Sequence, residues 1–149
     1  MRDAFGGTFM MYVFIIFLTV YCVFIAIAFN YAKAFRVKNK VIDIIEQNEG
    51  IEDFENTSGV IGDINTYLKN ATYKVNGISD TSGPCLGYEH VDTELGYCID
   101  KEVEPTLTGA NSSYYRVQTF VKLEIPFLEW FSFTIPIKGE TRKIERINT

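Results

Sequence analysis

Three cysteines and a single histidine are the side chains of this 149-residue chain that most readily carry redox or metal chemistry. Cys85 and Cys98 lie thirteen positions apart in a polar stretch, and a disulfide between them would stabilise a small domain by about 3 kcal/mol through loop closure. Because disulfides persist outside the cytosol, this pairing favours an exported domain, and two unpaired thiols are the alternative. Cys22 lies in an apolar stretch, where we expect it to stay free and to pack as a small hydrophobic side chain.

The other polar groups do not form a catalytic or metal-binding pattern. His90 is the only histidine, and the cysteine spacing matches neither a CxxC redox pair nor a zinc ligand set. Acidic side chains present oxygen ligands for calcium, but without the Asp-x-Asp-x-Asp-Gly loop they are better read as solvated: Glu89, Asp92, Glu94, Glu102 and Glu104. No nucleophile elbow or phosphate-binding glycine loop occurs. The sequence therefore predicts no catalytic residue, no metal ligand and no cofactor, and an enzyme is the least favoured class.

A long uncharged stretch near the N-terminus fixes the class of the protein. Residues 4–32 carry no charged side chain, and Phe9–Phe29 is almost wholly apolar. A helix needs about 20 such residues to cross the hydrocarbon core of a bilayer. A secretory signal peptide is the competing interpretation, but the apolar run is too long, and it lacks both a basic region beyond Arg2 and a small-residue cleavage site before Lys33. We therefore expect a single membrane-spanning helix.

The helix is predicted to continue well beyond the membrane. No proline or glycine interrupts the chain between Gly7 and Gly50, so we expect one helix from about Gly7 to Asn48, roughly 60 Å long at 1.5 Å per residue. Its second half is amphipathic, with an apolar stripe that consists of Ala34, Val37, Val41, Ile44 and Ile45. The chain thus divides into a spine helix over residues 1–50 and an acidic globular domain over residues 51–149.

The globular domain is predicted to begin with a second helix. Thr57 or Ser58 is a suitable N-cap, because a hydroxyl there can accept from an unpaired backbone N–H group. The helix would end near Asn70, with an apolar stripe made of Val60, Ile61, Ile64, Tyr67 and Leu68. Tyr73–Val75 reads as a short strand, and the Gly-, Ser- and Pro-rich residues 76–84 as a loop.

Two longer strands are predicted towards the C-terminus. Tyr114–Ile125 and Phe131–Ile137 alternate apolar with polar side chains, and Pro126–Trp130 indicates a turn between them. Pro136 cannot donate to a sheet ladder, so the second of these strands should lie at an edge or bend there. We expect a last short strand over Glu140–Ile144 and see no clear period between the cysteines. The predicted fold class is α+β: a long N-terminal transmembrane helix, a short helix and a small antiparallel sheet.

The charge distribution limits the choice of partner. Residues 51–149 contain nine Lys or Arg and fifteen Asp or Glu, a net charge of about −6, and no basic patch interleaved with aromatic side chains. Nucleic acid is therefore excluded as a partner, and membrane lipid is expected.

The layout of a long helix, hydrophobic and then amphipathic, that carries a small sheet domain resembles that of type IV pilins and pseudopilins. The ending YYRVQTFVKLEIPFLEWFSFTIPIKGETRKI is similar to the close of TadE-like pseudopilins, where a proline-containing turn joins two strands before a Gly-x-Thr/Ser segment. The matching parts here are Val117–Ile125, Pro126–Leu128, Phe133–Ile137 and Gly139–Thr141. RDAFGGTF is similar to the glycine-rich boundary before the hydrophobic helix of that family. The glutamate that usually follows the cleaved glycine is replaced by Met11 or Tyr12.

This resemblance implies a structural subunit of a pilus-type filament or of its assembly machinery. The implied partners are copies of the chain or other pilin-like subunits. Apolar helices associate in lipid through close packing and polar groups, so we expect five small or polar residues to contact a neighbouring subunit: Gly6, Gly7, Thr8, Thr19 and Asn30. The alternative function is a single-pass membrane-anchored binding protein with an extracellular acidic domain.

Two features of the sequence disagree on which side of the membrane the domain lies. Four basic residues follow the apolar stretch, namely Lys33, Arg36, Lys38 and Lys40, and by the positive-inside rule they favour a cytoplasmic domain. The pairing of Cys85 with Cys98 and the pilin resemblance favour an extracellular or periplasmic domain. We adopt the second orientation, with the domain outside, and the pilin resemblance implies a place in a surface filament.

Overall fold

The structure is a computed structural model that describes residues 2–56, 58–75, 78, 83–105, 111–124 and 132–145. Within these residues the elements are α1 (Arg2–Gln47), α2 (Val60–Asn70), β1 (His90–Asp92), β2 (Tyr97–Pro105), β3 (Asn111–Glu124), β4 (Ser132–Glu140) and β5 (Ile144–Glu145). The fold class is α+β, a long apolar N-terminal helix and a short helix with an antiparallel sheet, as the sequence predicts.

The first helix is uninterrupted over 46 residues, about 69 Å at 1.5 Å per residue, which confirms the prediction of one continuous helix. It begins at Arg2 rather than near Gly7, because a glycine weakens a helix by only about 1 kcal/mol and does not end it. At the C-terminal end Glu49 adopts a φ of 54° and Gly50 a φ of 103°. The Gly50 N–H group then donates to the Ile45 carbonyl at 2.9 Å, which closes the last turn.

The second half of α1 belongs to the core of the globular domain. The predicted apolar stripe is buried, and it packs on β3 and β4: Ala34, Val37, Val41, Ile44 and Ile45. Thr119 donates its hydroxyl proton to the Ala34 carbonyl at 3.3 Å, whereas Gly50 lies against the ring of Tyr115. Strand β3 therefore runs antiparallel to α1. Gly139 on β4 lies so close to α1 that an added Cβ would come within 2.8 Å of the Lys38 side chain.

The sheet has the strand order β1-β2-β3-β4, and β5 pairs with the beginning of β3. Thr119 is in register with Tyr97 on one side and with Ile137 on the other, and this face packs against the helices. On the opposite face of the sheet Gln118 is fully buried, so both faces of β3 are covered at this position. The alternation of apolar and polar residues along β3 suggests instead that this second face is solvated. Because β4 lies at the sheet edge, Pro136 is at an edge as predicted.

Some predicted boundaries are wrong. The N-cap of α2 is Gly59, without a side-chain cap bond. Ser58 instead donates its N–H to the Asn56 side chain at 3.0 Å, which turns the chain before the helix begins. Thr57, Ile125, Pro126–Trp130 and Phe131 lie outside the described residues.

The two short strands also differ from the prediction. Tyr73–Val75 is not a strand: Thr72 turns the chain with a φ of 52°, after which Val75 makes one bond, from its N–H to the Leu95 carbonyl. The last strand is Ile144–Glu145 rather than Glu140–Ile144, because Glu140 still belongs to β4.

The β1–β2 hairpin has no counterpart in the prediction. Asp92 accepts the N–H groups of Glu94 and Leu95 on its carboxylate, at 2.9 and 2.7 Å, which fixes the turn. Gly96 completes the turn with a φ of 79° and lies against the backbone of Val75. The hairpin brings Tyr97, Cys98 and Ile99 into the core.

Replacing Gly96 with alanine should destabilise the domain more than the same change at Gly87. Both glycines have a positive φ, so each alanine costs about 1–2 kcal/mol of backbone strain. A Cβ at Gly96 also collides with the Val75 carbonyl, which adds about 1–3 kcal/mol, whereas a Cβ at Gly87 meets no atom within 4 Å. Urea unfolding of the full chain in detergent, followed by near-UV circular dichroism, measures the difference. Equal midpoints for the two variants would contradict the close approach at Gly96.

Candidate functional site

The N-terminal half of α1 stands apart from the domain and exposes an apolar surface. Every residue from 6 to 22 is exposed, and the relative exposure is still 72% at Phe29. The helix is long and apolar enough to span a membrane, whose hydrocarbon core is about 30 Å thick. Apolar exposure of this extent is far beyond what the surface of a monomeric soluble domain carries, so this surface is the main candidate for contact with lipid and with other chains.

One side of α1 carries a row of large side chains that the sequence analysis did not single out. Their spacing alternates between four and three residues, which is the heptad spacing that aligns side chains along one side of a helix. We call this row the aromatic ridge: Met10, Phe14, Phe17, Tyr21, Phe24, Tyr31 and Phe35, with Ala28 at the remaining position. All of these residues are exposed. The ridge faces away from the domain, since Phe35 is 44% exposed where Ala34 and Val37 are buried.

Three of the five predicted packing residues share the opposite side of α1. Thr8, Thr19 and Asn30 are eleven residues apart, which is close to three whole turns, and at about 100° per residue they align with Val37, on the side that packs on the domain. Cys22 and Ala26 lie on the same side, and we call these five residues the small-residue line, although Tyr12 and Ile15 also lie on this side between Thr8 and Thr19. All are exposed, and the Thr19 hydroxyl donates to the Ile15 carbonyl within its own helix.

The other two predicted packing residues lie elsewhere. Gly6 and Gly7 fall off the small-residue line, and a Cβ on either would meet no atom within 4 Å. Contacts of all five predicted residues with a neighbouring subunit stay a prediction.

Cys85 and Cys98 form a disulfide, with their Cα atoms 6.0 Å apart, and Cys22 is free. The bond attaches the segment around Cys85 to the sheet face that the helices leave uncovered. Gln118 secures the same segment, since its Nε2 donates to the Pro84 carbonyl at 3.0 Å and its Oε1 accepts from Tyr88 at 2.9 Å. A buried disulfide of this kind suggests that the domain resides in an oxidising compartment.

His90 lies in an aromatic cluster between the sheet and the helices. Its ring stacks on Phe54 with centroids 6.0 Å apart, and its Nε2 is 3.4 Å from the Tyr97 hydroxyl, which donates to Asn65 at 2.7 Å. Burial lowers the pKa of His90 below its ordinary value, and the nearby Asp92 carboxylate opposes this only in part. Because Tyr97 has its own partner in Asn65, the arrangement serves packing and does not activate a nucleophile.

Charged side chains on the open sheet face pair with one another. Arg116 lies 2.9 Å from Glu102, 3.5 Å from Glu140 and 3.6 Å from Asp100. The described parts of the chain contain no group of three or more His, Cys, Asp or Glu side chains that could hold a metal ion. The carboxylates that the sequence offers for calcium are therefore not gathered into a site within those parts.

Comparisons of the chain with models of known protein families, with characterised proteins and with solved structures give no match. The function of the chain is therefore inferred from α1, from the disulfide and from the charges of the domain.

Alkylation without a reductant should label Cys22 alone. In the folded chain Cys85 and Cys98 are fully buried and bonded to each other, so neither offers a thiol. Mass spectrometry of the protein taken directly from membranes measures the number of labels, and a reduced, denatured sample that takes up three labels is the control. Labelling of Cys85 and Cys98 without reductant would contradict the disulfide and an oxidising location.

The stability of the domain should fall as the pH drops below about 6.5, the ordinary pKa of histidine. In that range the unfolded chain binds a proton that the folded chain resists at His90, so protonation favours unfolding. Above this pH both states leave His90 neutral, and its effect vanishes. The variant His90→Phe keeps a ring against Phe54 and should lose this part of the pH dependence. Urea midpoints on both sides of the transition measure it, and parallel pH profiles for the two proteins would refute the assignment.

Proposed function

We propose that this chain is a structural subunit of a membrane-associated pilus-type assembly, anchored by α1 and carrying its domain on the extracellular or periplasmic side. One observation carries the proposal. A single helix is at once the apolar span and a core element of the domain, and its exposed half has the aromatic ridge on one side and the small-residue line on the other. The disulfide supports the outward orientation.

The aromatic ridge extends further than a simple anchor requires. Tyr31 and Phe35 lie beyond the apolar stretch, beside Lys33 and Arg36, and are still 52% and 44% exposed. Tyr31 lies at the level of the lipid headgroups, where a tyrosine also suits a simple anchor. Lipid tails do not reach Phe35, however, so its exposed ring gains most from another protein surface. A neighbouring helix that follows the ridge through the membrane would also cover both rings.

The two sides of α1 are complementary in shape. Large rings project along the ridge, while the opposite line carries small or polar side chains from Thr19 to Asn30, over which a neighbouring helix can approach closely. A contact of the ridge of one copy with the small-residue line of the next joins two different surfaces. Such a head-to-tail contact can repeat, and because its two surfaces lie on opposite sides of α1 it favours an open row of subunits over a small closed ring, as a filament requires. The resemblance to TadE-like pseudopilins agrees with this mode of assembly.

Disulfide trapping tests the contact, because native Cys22 lies on the small-residue line. Cysteine at a ridge position, in Phe17→Cys, Tyr21→Cys or Phe24→Cys, should cross-link to Cys22 of a neighbour. Oxidation of intact membranes should then yield a ladder of oligomers on non-reducing gels for at least one of these variants. Leu18→Cys, which lies between the two sides, is the matched control and should stay monomeric.

Two further variants distinguish the outcomes. Adding Cys22→Ser should abolish the ladder, and adding Asn30→Leu should do so while the chain still inserts. Burial of an unpaired amide costs about 1–3 kcal/mol, so Asn30 needs a partner in the assembly. Dimers that persist without Cys22 would show a closed ridge-to-ridge pair and would contradict the filament. Monomers throughout would favour the membrane-anchored binding protein.

A further inference from the structure

A cavity of about 90 Å³ lies where α1 enters the domain. Three lysines from three separate segments line it: Lys33 on α1, Lys74 after α2 and Lys122 on β3. Asn30 and Thr72 add polar groups, whereas none of the described residues that line the cavity is acidic. The cavity therefore collects positive charge, although the domain as a whole is acidic.

Hydrogen bonds hold the walls of the cavity in place. The Tyr73 hydroxyl accepts the Phe120 N–H group at 2.8 Å and lies 3.0 Å from the carbonyl oxygens of Phe120 and Gly96, to one of which it donates. Lys33 donates from Nζ to the Thr72 carbonyl at 2.7 Å and retains two further N–H donors. Burial raises the pKa of Tyr73 to about 12, so its hydroxyl stays protonated and the link between the segments persists at neutral pH.

The position of the cavity along α1 suggests its ligand. Residues 9–29 span about 31 Å at 1.5 Å per residue, which matches the hydrocarbon core of a bilayer. Asn30 and Lys33 follow immediately and so fall among the lipid headgroups. We propose that this cavity binds the phosphate of an anionic phospholipid in the leaflet that faces the domain, an inference that rests on α1 spanning the membrane as in the proposed function.

Charge complementarity favours a headgroup phosphate over other occupants. Lysine ammonium groups bind phosphate as point charges, and several of them around one anion act together. Glu94 lies 3.9 Å from Lys74, but both side chains are more than half exposed, so this ion pair is weak and competes little. A phosphate held here would also offset the repulsion between the acidic domain and an anionic membrane surface.

Lipid binding to the full chain in detergent micelles tests the inference. Native mass spectrometry with added phosphatidylglycerol or phosphatidylcholine should show preferential retention of phosphatidylglycerol. Lys74→Gln and Lys122→Gln should each weaken this binding about fivefold, the effect expected for one lysine near an anionic surface. Lys143→Gln, which removes the same charge beside Glu104, is the matched control and should leave the binding unchanged. Near-UV circular dichroism verifies that each variant keeps its fold.

Each outcome supports or overturns the inference. Equal retention of the two lipids, or an equal loss with Lys143→Gln, would overturn it. Displacement of the lipid by inorganic phosphate in modest excess would show that the site binds a soluble anion and would overturn the lipid assignment. Carbonate extraction reports separately on α1. A chain that resists extraction but ignores lipid charge overturns this inference alone, whereas a chain that carbonate releases overturns the anchoring on which it depends.

Discussion

Packing of the second half of α1 against β3 and β4 is the interaction on which the rest of the structure depends. The buried stripe from Ala34 to Ile45 belongs to the same helix that exposes apolar rings further towards the N-terminus. The packed segment of α1 that begins at Ala34 is short enough to be only marginally stable as an isolated helix in water, so burial of this stripe against the sheet stabilises it. The exposed half then has a set direction relative to the domain, and both of its sides keep a fixed relation to the sheet.

Much of this arrangement can be predicted from the sequence, because α1 and β3 have strong periodicity. The β1–β2 hairpin is harder to predict, since its strands contain few alternating apolar residues and one of them, β1, has only three residues. Its turn depends on the Asp92 carboxylate and on the close approach of Gly96 to Val75, a residue that is distant in sequence. Likewise, Gln118 appears polar and solvated, but it is buried by a segment that the disulfide brings to it.

The residues of the candidate site likewise divide into those that the sequence reveals and those that only the structure reveals. Polar residues within an apolar helix are visible in the sequence, and the helical period brings Thr8, Thr19 and Asn30 to one side. The aromatic ridge is also visible in the sequence, as a spacing of three and four residues. Its members do not stand out, however, because large apolar and aromatic side chains are typical of any helix that spans a membrane. Only the placement of the domain shows which side of α1 stays open beyond the apolar stretch. The basic cavity could not be predicted, since Lys33, Lys74 and Lys122 meet only through the tertiary fold.

The antiparallel arrangement of α1 and β3 has a mechanical consequence. If the domain is pulled away from the N-terminal half of α1, tension in the helix passes to the sheet through the overlap from Ala34 to Gly50. The load then acts parallel to the contact surface, as a shear force. All of the side chains in the contact therefore resist sliding together instead of separating one after another. Strand β3 is itself held by ladders to both β2 and β4, which spread the shear across the sheet. Traction along the helix axis is thus the direction in which the domain is hardest to detach.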